Sequence, residues 1–273
     1  VENPDVTEIC IGDDIVGTLE ITTPPGFEDR WLEIYSMEDF DPITWTPDPA
    51  TPDEDTLIRC SAESTVSIWL RDVILDGEGL AHAVTSEGLC SVNMESVQLQ
   101  EFASPEDGAA VEIDIDPLQS VEIVRCWFDR IAGTAVDLRS GLLPPTQTLF
   151  TAAHGESGPG GLRAQGESIA SLRGNLFYGC SSDTGGGAIV TRDQAWLVSV
   201  GDGFVGNRAP AGGAILASGG ELSVSHAVFA GNAACDGDCV PASTAGQGVT
   251  PPLQESCNYS LVDWGELPPV DLA

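Results

Sequence analysis

The sequence predicts an all-β protein: a right-handed single-stranded parallel β-helix, a solenoid of about seven rungs with N- and C-terminal caps. Three observations carry this reading. A small residue followed by a branched apolar one recurs at Ala83-Val84, Ala110-Val111, Ala135-Val136, Gly161-Leu162, Ala188-Ile189 and Ala214-Ile215, in steps of 27, 25, 26, 27 and 26 residues. Short stretches of alternating polarity, such as Ser67-Ile68-Trp69-Leu70 and Glu221-Leu222-Ser223-Val224, have the period of two expected of strands with one buried face. The 31 Gly and 18 Pro are spread along the chain and no window sustains a helical period, which excludes helical repeats.

Each unit of about 26 residues then holds two or three short strands separated by turns. The strand at Val84, Val111, Val136, Leu162, Ile189 and Ile215 predicts one inward column. A second marker runs beside it at Leu75, Leu99, Phe128, Phe177, Phe204 and Phe229, with His154 expected in the place between Phe128 and Phe177. Length varies between the two markers, as at Ala103-Ser104-Pro105-Glu106-Asp107-Gly108, so a variable loop is expected at one place on every coil.

The last repeats carry a fuller motif. Phe204-Val205-Gly206-Asn207 and Phe229-Ala230-Gly231-Asn232 match FxxN, and Gly186-Gly187-Ala188-Ile189 and Gly212-Gly213-Ala214-Ile215 match GGA[ILV]. The pair resembles the repeats of polymorphic outer membrane proteins and of adhesin-like right-handed β-helices on bacterial surfaces. The complete motif covers about residues 170–232; Cys180 and Ile131 stand where the Asn would be in two earlier units. The resemblance implies a β-helix and a surface location, and no particular ligand. Physically, Phe fills the coil interior, Asn satisfies backbone groups at a bend, and the Gly pair permits a tight turn.

The ends differ from the repeats. Residues 1–56 hold 16 acids against one Arg and are expected to form an acidic N-terminal cap, followed by the β-helix at 57–232 and a C-terminal cap or tail at 233–273. Caps are expected because terminal rungs of a solenoid expose unpaired strand edges. The chain begins at Val1 without an initiator Met, which fits a mature exported protein or a trimmed chain.

Composition narrows the function. Ten basic residues, all Arg, against 43 acids leave a formal charge of −33, which excludes nucleic acid and anionic lipid as partners. No apolar run approaches the roughly 20 residues of a membrane-spanning helix. Eight Cys form an even set and suggest an oxidising compartment, with most of them expected in disulfides. Cys235 is expected to pair with Cys239, with Cys257 as the runner-up partner; Cys10, Cys60 and Cys90 complete the candidates. Cys126 and Cys180 lie about two rungs apart, beyond the ~7 Å reach of a disulfide.

Many β-helices act on polysaccharides, so clustered acids are candidate sites. Stacking of rungs predicts Glu112 over Asp137 and an ion pair between Asp114 and Arg139. Glu112, Asp114 and Asp137 are weak calcium candidates, as are Asp236 and Asp238 in the loop between Cys235 and Cys239. The three His, at 82, 154 and 226, fall in non-adjacent units and are expected to be structural. No catalytic residue and no cofactor is assigned, with calcium as the candidate ion for these acids.

The reading that results is a non-catalytic, secreted or cell-surface bacterial protein: a structural scaffold, adhesin or assembly subunit. Its expected partners are other surface proteins, glycans or copies of itself. The alternatives are a polysaccharide lyase or glycoside hydrolase working on an acidic face, and a calcium-stabilised binding module.

Overall fold

In the computed structural model every regular element is a strand and every strand pairing is parallel (described residues 6–23, 30–36, 42–50, 55–104, 108–144, 146–234 and 249–250). Successive strands visit three faces in a fixed order and return to the first, the path of a parallel β-helix. The third face shows the stacking most simply. It is a nine-stranded sheet of Ile15–Val16, Ile43–Thr46, Val73–Asp76, Gln98–Gln100, Trp127–Asp129, Leu149–Thr151, Leu176–Tyr178, Gly203–Val205 and Val228–Ala230. Nine strands one coil apart span eight turns.

The first face contains the predicted inward column. Val84, Val111, Val136, Leu162, Ile189 and Ile215 are register partners in sequence, and Leu19 and Ile58 extend the column at one end and Val249 at the other. The six central residues are almost completely buried, as alternation requires of the inward-facing set. The second face carries the alternating segments noted above, with Leu32 over Ile68 and Val92, and Ile34 over Leu70 and Met94. In the early coils two long strands, Thr56–Arg71 and His82–Glu95, run through both the first and second faces, with a register shift between Ala62 and Val66 where the chain turns the corner. A short fourth face of two-residue strands closes the later coils.

The aromatic column needs one correction. Phe150, not His154, stands between Phe128 and Phe177, and His154 lies on the fourth face over Ser181. The chain from Phe128 to Val136 is eight positions, against twelve from Phe177 to Ile189, so counting a constant step overshoots by four. The five rings Phe128, Phe150, Phe177, Phe204 and Phe229 stack with centroids 4.9, 4.5, 5.2 and 4.9 Å apart, the spacing of the coils themselves.

The expected boundary at residue 56 is not a break in the sheets. Val6–Ile11 pairs with Arg30–Ser36, which pairs with Thr56–Arg71, and Ile15 stacks on Trp45, which stacks on Leu75. These last three are 30 positions apart, so longer connections hide the first coils from a search for a 26-residue step. At the other end Val249–Thr250 adds to the first face beyond residue 232.

Two corners of most coils hold a left-handed residue followed by an inward one. Between the second and third faces these are Asp72, Ser96, Arg125, Gly174, Gly201 and His226. Between the third and fourth they are Glu101, Arg130, Ala152, Gly179, Gly206 and Gly231. The second series explains FxxN: its third residue turns the chain and its Asn then faces inward. Asn207 accepts the backbone N–H of Cys180 at 2.9 Å and donates to the Phe177 carbonyl at 3.1 Å, while Asn232 repeats the same contacts one coil later on Asn207 and Phe204. Cys180 and Ile131 do occupy this place in their own coils, as the sequence comparison expected.

Candidate functional site

The acids singled out on the first face form a charge cluster with a different pairing from the one expected. Glu112 does stack on Asp137, but the register slips after Ile113, so Asp114 lies opposite Ser140 and remains exposed. Arg139 therefore turns away from the predicted pairing and bonds Asp137 at 2.8 Å and Glu112 at 2.9 Å. Asp137 is fully buried, although its strand neighbours Val136 and Leu138 are the ones that point into the coil. The glycine-rich segment 155–161 lies against the cluster: a Cβ on Gly158 would sit 2.8 Å from Thr134 Oγ1 and 3.1 Å from Arg163, so a side chain there would displace the loop or these groups.

Beneath that loop Asp137 accepts from Arg163 Nε at 2.9 Å and Nη2 at 2.8 Å, and from Gln165 Nε2 at 3.0 Å. The fork of Arg163 grips both carboxylate oxygens, the strong geometry for such a pair. Two acids and two guanidinium groups balance, and the lone pairs of Asp137 are taken up. A carboxylate held this way is a poor general base or nucleophile, because withdrawing it would strand Arg163, itself 3% exposed. His82 borders the cluster, with Nδ1 2.7 Å from the Ala109 carbonyl oxygen. Sequence reasoning missed Arg163 and Gln165; the signal was Arg163's place in the column after Glu112 and Asp137, one coil on, with Gln165 two positions further along the same edge.

A second arrangement was also missed. On the fourth face His154 Nδ1 lies 2.9 Å from Ser181 Oγ, and His154 Nε2 lies 3.7 Å from Asp183 Oδ2. The residue types are those of a hydrolase triad, but the ring is reversed: a triad puts the hydroxyl on Nε2 and the carboxylate on Nδ1. Nearby donors are also committed. The N–H of Asp183 goes to the Gly155 carbonyl, those of Gly186 and Gly187 to Ala211 and Gly212, and that of Gly185 to Ser182 Oγ. With His154 and Asp183 46% and 66% exposed, nothing excludes water from this set or offers a hole for an oxyanion. The three His are not brought together: His82 is on the first face, His154 on the fourth, and His226 at a corner.

The remaining site candidates divide as follows. Cys60 and Cys90 form a disulfide buried at the corner between the first two faces, their Cα atoms 5.8 Å apart. Cys10, named among the candidates, is instead an exposed free thiol, and Cys126 and Cys180 are buried free thiols. Three of the five described cysteines are thus outside disulfides: Cys126 and Cys180 face inward on different corners, and Cys10 stacks on Tyr35. Burial pushes the thiols of Cys126 and Cys180 up to about 12. Cys235, Asp236, Asp238, Cys239 and Cys257 lie outside the described residues. Among the described residues no group of three or more His, Cys, Asp or Glu is arranged to hold a metal ion, and no helix is long and apolar enough to cross a membrane.

Inside the coil a polar ladder runs up one corner. Thr146 and Thr148 donate to Asn175 Oδ1 at 2.6 and 2.8 Å, Asn175 donates to Asp202, and Ser199 donates to Asp202 Oδ2 at 2.5 Å. It satisfies buried groups, and every one of its members is almost inaccessible to solvent. No protein-family model, no curated protein and no solved structure matches this chain.

Proposed function

We propose that this protein is a non-catalytic display scaffold of the bacterial exterior, secreted or held at the cell surface, that presents the flat faces of its β-helix to other surface proteins, glycans or copies of itself. The observation that carries the reading is the state of Asp137. Among the described residues the buried acid–base cluster at Asp137 is neutralised by Arg139 and Arg163 and lies against a glycine-rich loop, so it acts as a cross-coil clamp. Clamping of this kind suits a rigid surface, and eight turns of registered strands provide a broad one. The buried Cys60–Cys90 disulfide supports an oxidising location. A charge of −33 keeps such a protein dispersed and away from anionic lipid.

The test combines chemistry and location. Incubation with a panel of acidic and neutral polysaccharides is expected to leave every one intact, and protease added to unlysed source cells is expected to reach the protein. Cleavage of a polysaccharide that disappears in Asp137→Asn or Asp114→Asn overturns the reading in favour of a lyase or hydrolase. Full protection until lysis overturns the surface location.

A further inference from the structure

The third face changes character along the coil. In its early strands the outward positions are Val16, Thr44, Thr46, Ile74, Asp76, Gln98 and Gln100; Val16 is 63% exposed, and the last three are tied together by Gln98–Gln100 and Gln100–Asp76 hydrogen bonds of 2.6 and 2.8 Å. From Trp127 onward the outward column is Trp127, Leu149, Leu176, Gly203 and Val228, with Thr151, Tyr178, Val205 and Ala230 in the column beside it. Trp127, Leu176, Tyr178 and Val228 are all exposed, Tyr178 by 55%. One charge lies among these outward positions, Asp129, and Arg130 Nε neutralises it at 2.8 Å. The polar atoms at that end are also satisfied, Trp127 Nε1 donating to Thr151 Oγ1 at 2.9 Å and Thr151 to Asp129 at 2.7 Å.

From this we infer that the stripe from Trp127 to Val228 on the third face is a self-association surface whose partner is a second copy of this chain, packed face to face about a two-fold axis. Two arguments choose the occupant. First, two chains of charge −33 repel one another, and this stripe is a place where they can touch without juxtaposing acids. An antiparallel overlap of the two stripes also sends the early strands of each copy, which carry Asp76, outward in opposite directions. Second, the stripe offers one side chain per coil at a spacing of about 4.8 Å, and another ladder of the same pitch can interdigitate with it along its whole length. Five coils give a patch of roughly 250 Å², well short of the ~800 Å² per partner of a standard stable interface. The contact is therefore reversible, and screening of the surrounding acids strengthens it.

This inference narrows the display reading to one face and one partner. Sedimentation equilibrium on the intact protein, at rising concentration and from low to high NaCl, is expected to show a monomer–dimer equilibrium that tightens with salt. Leu176→Glu and Tyr178→Glu, at exposed positions that leave the core alone, are each expected to weaken the dimer at least tenfold with unchanged melting. Trp196→Glu, exposed on the second face, is expected to leave it intact. A monomer at every concentration and salt, or a dimer indifferent to both stripe variants, overturns the inference and leaves the display reading standing. Polysaccharide cleavage, in contrast, overturns that reading whatever the oligomeric state.

Discussion

Asn175 donates both its backbone N–H and its side-chain amide to Oδ1 of Asp202, one coil further along, at 2.7 and 2.9 Å. The two residues occupy the same inward corner of successive coils, and both are nearly inaccessible to solvent. A carboxylate there is costly to ionise, and burial holds the Asp202 carboxyl above its ordinary range, with the hydrogen bonds from Ser199 and Asn175 opposing the shift in part.

That shift has a sign. A carboxyl raised on folding binds its proton more tightly in the folded state, so its contribution to stability falls as pH rises from the unfolded value of about 4 through the raised folded value. Asp202→Asn keeps one acceptor for Asn175 and lacks the charge. Chemical denaturation at a series of pH values is expected to show the variant gaining on the parent as pH rises above about 4. A constant difference across that range counts against an ionisable, buried Asp202.

The glycines of the two motif halves do different work, and substitution separates them. Gly206 has φ +67° and open space where a Cβ would go, so Gly206→Ala meets only the left-handed backbone cost of roughly 1–2 kcal/mol. Gly213 has no such φ, but a Cβ there would lie 2.4 Å from the Ala233 carbonyl oxygen of the next coil. Gly213→Ala must push two coils apart and is expected to cost clearly more. Urea midpoints of the two variants in parallel check the order; equal losses refute the assignment.

Cysteine chemistry follows burial. In the native protein a thiol-alkylating reagent is expected to modify Cys10 and to spare Cys126 and Cys180 until the chain unfolds, since those two thiols stay protonated with values of about 12. Loss of the Cys60–Cys90 bridge, as in the Cys60→Ala, Cys90→Ala double variant, frees a loop of 30 residues and is expected to cost about 3–4 kcal/mol. Peptide mapping by mass spectrometry and denaturant titration read the two outcomes.

The sequence alone determined the repeat, because a solenoid imposes the same inward pattern on every coil. Val84 through Ile215, the Phe series and the Asn of FxxN all announce their positions by recurrence. It also determined that Glu112 lies over Asp137, since strand pairing in register follows directly from the aligned markers. What only the tertiary structure decided depends on the variable connections. A shortened turn moved Phe150 into the aromatic column, and longer connections concealed the first coils within residues 6–46. A one-residue slip after Ile113 sent Arg139 to Asp137 rather than Asp114, and a glycine-rich loop lies against the result. Periodicity specifies which residues face inward; the lengths of the turns between them, which carry no periodic signal, decide what meets across coils on the outside.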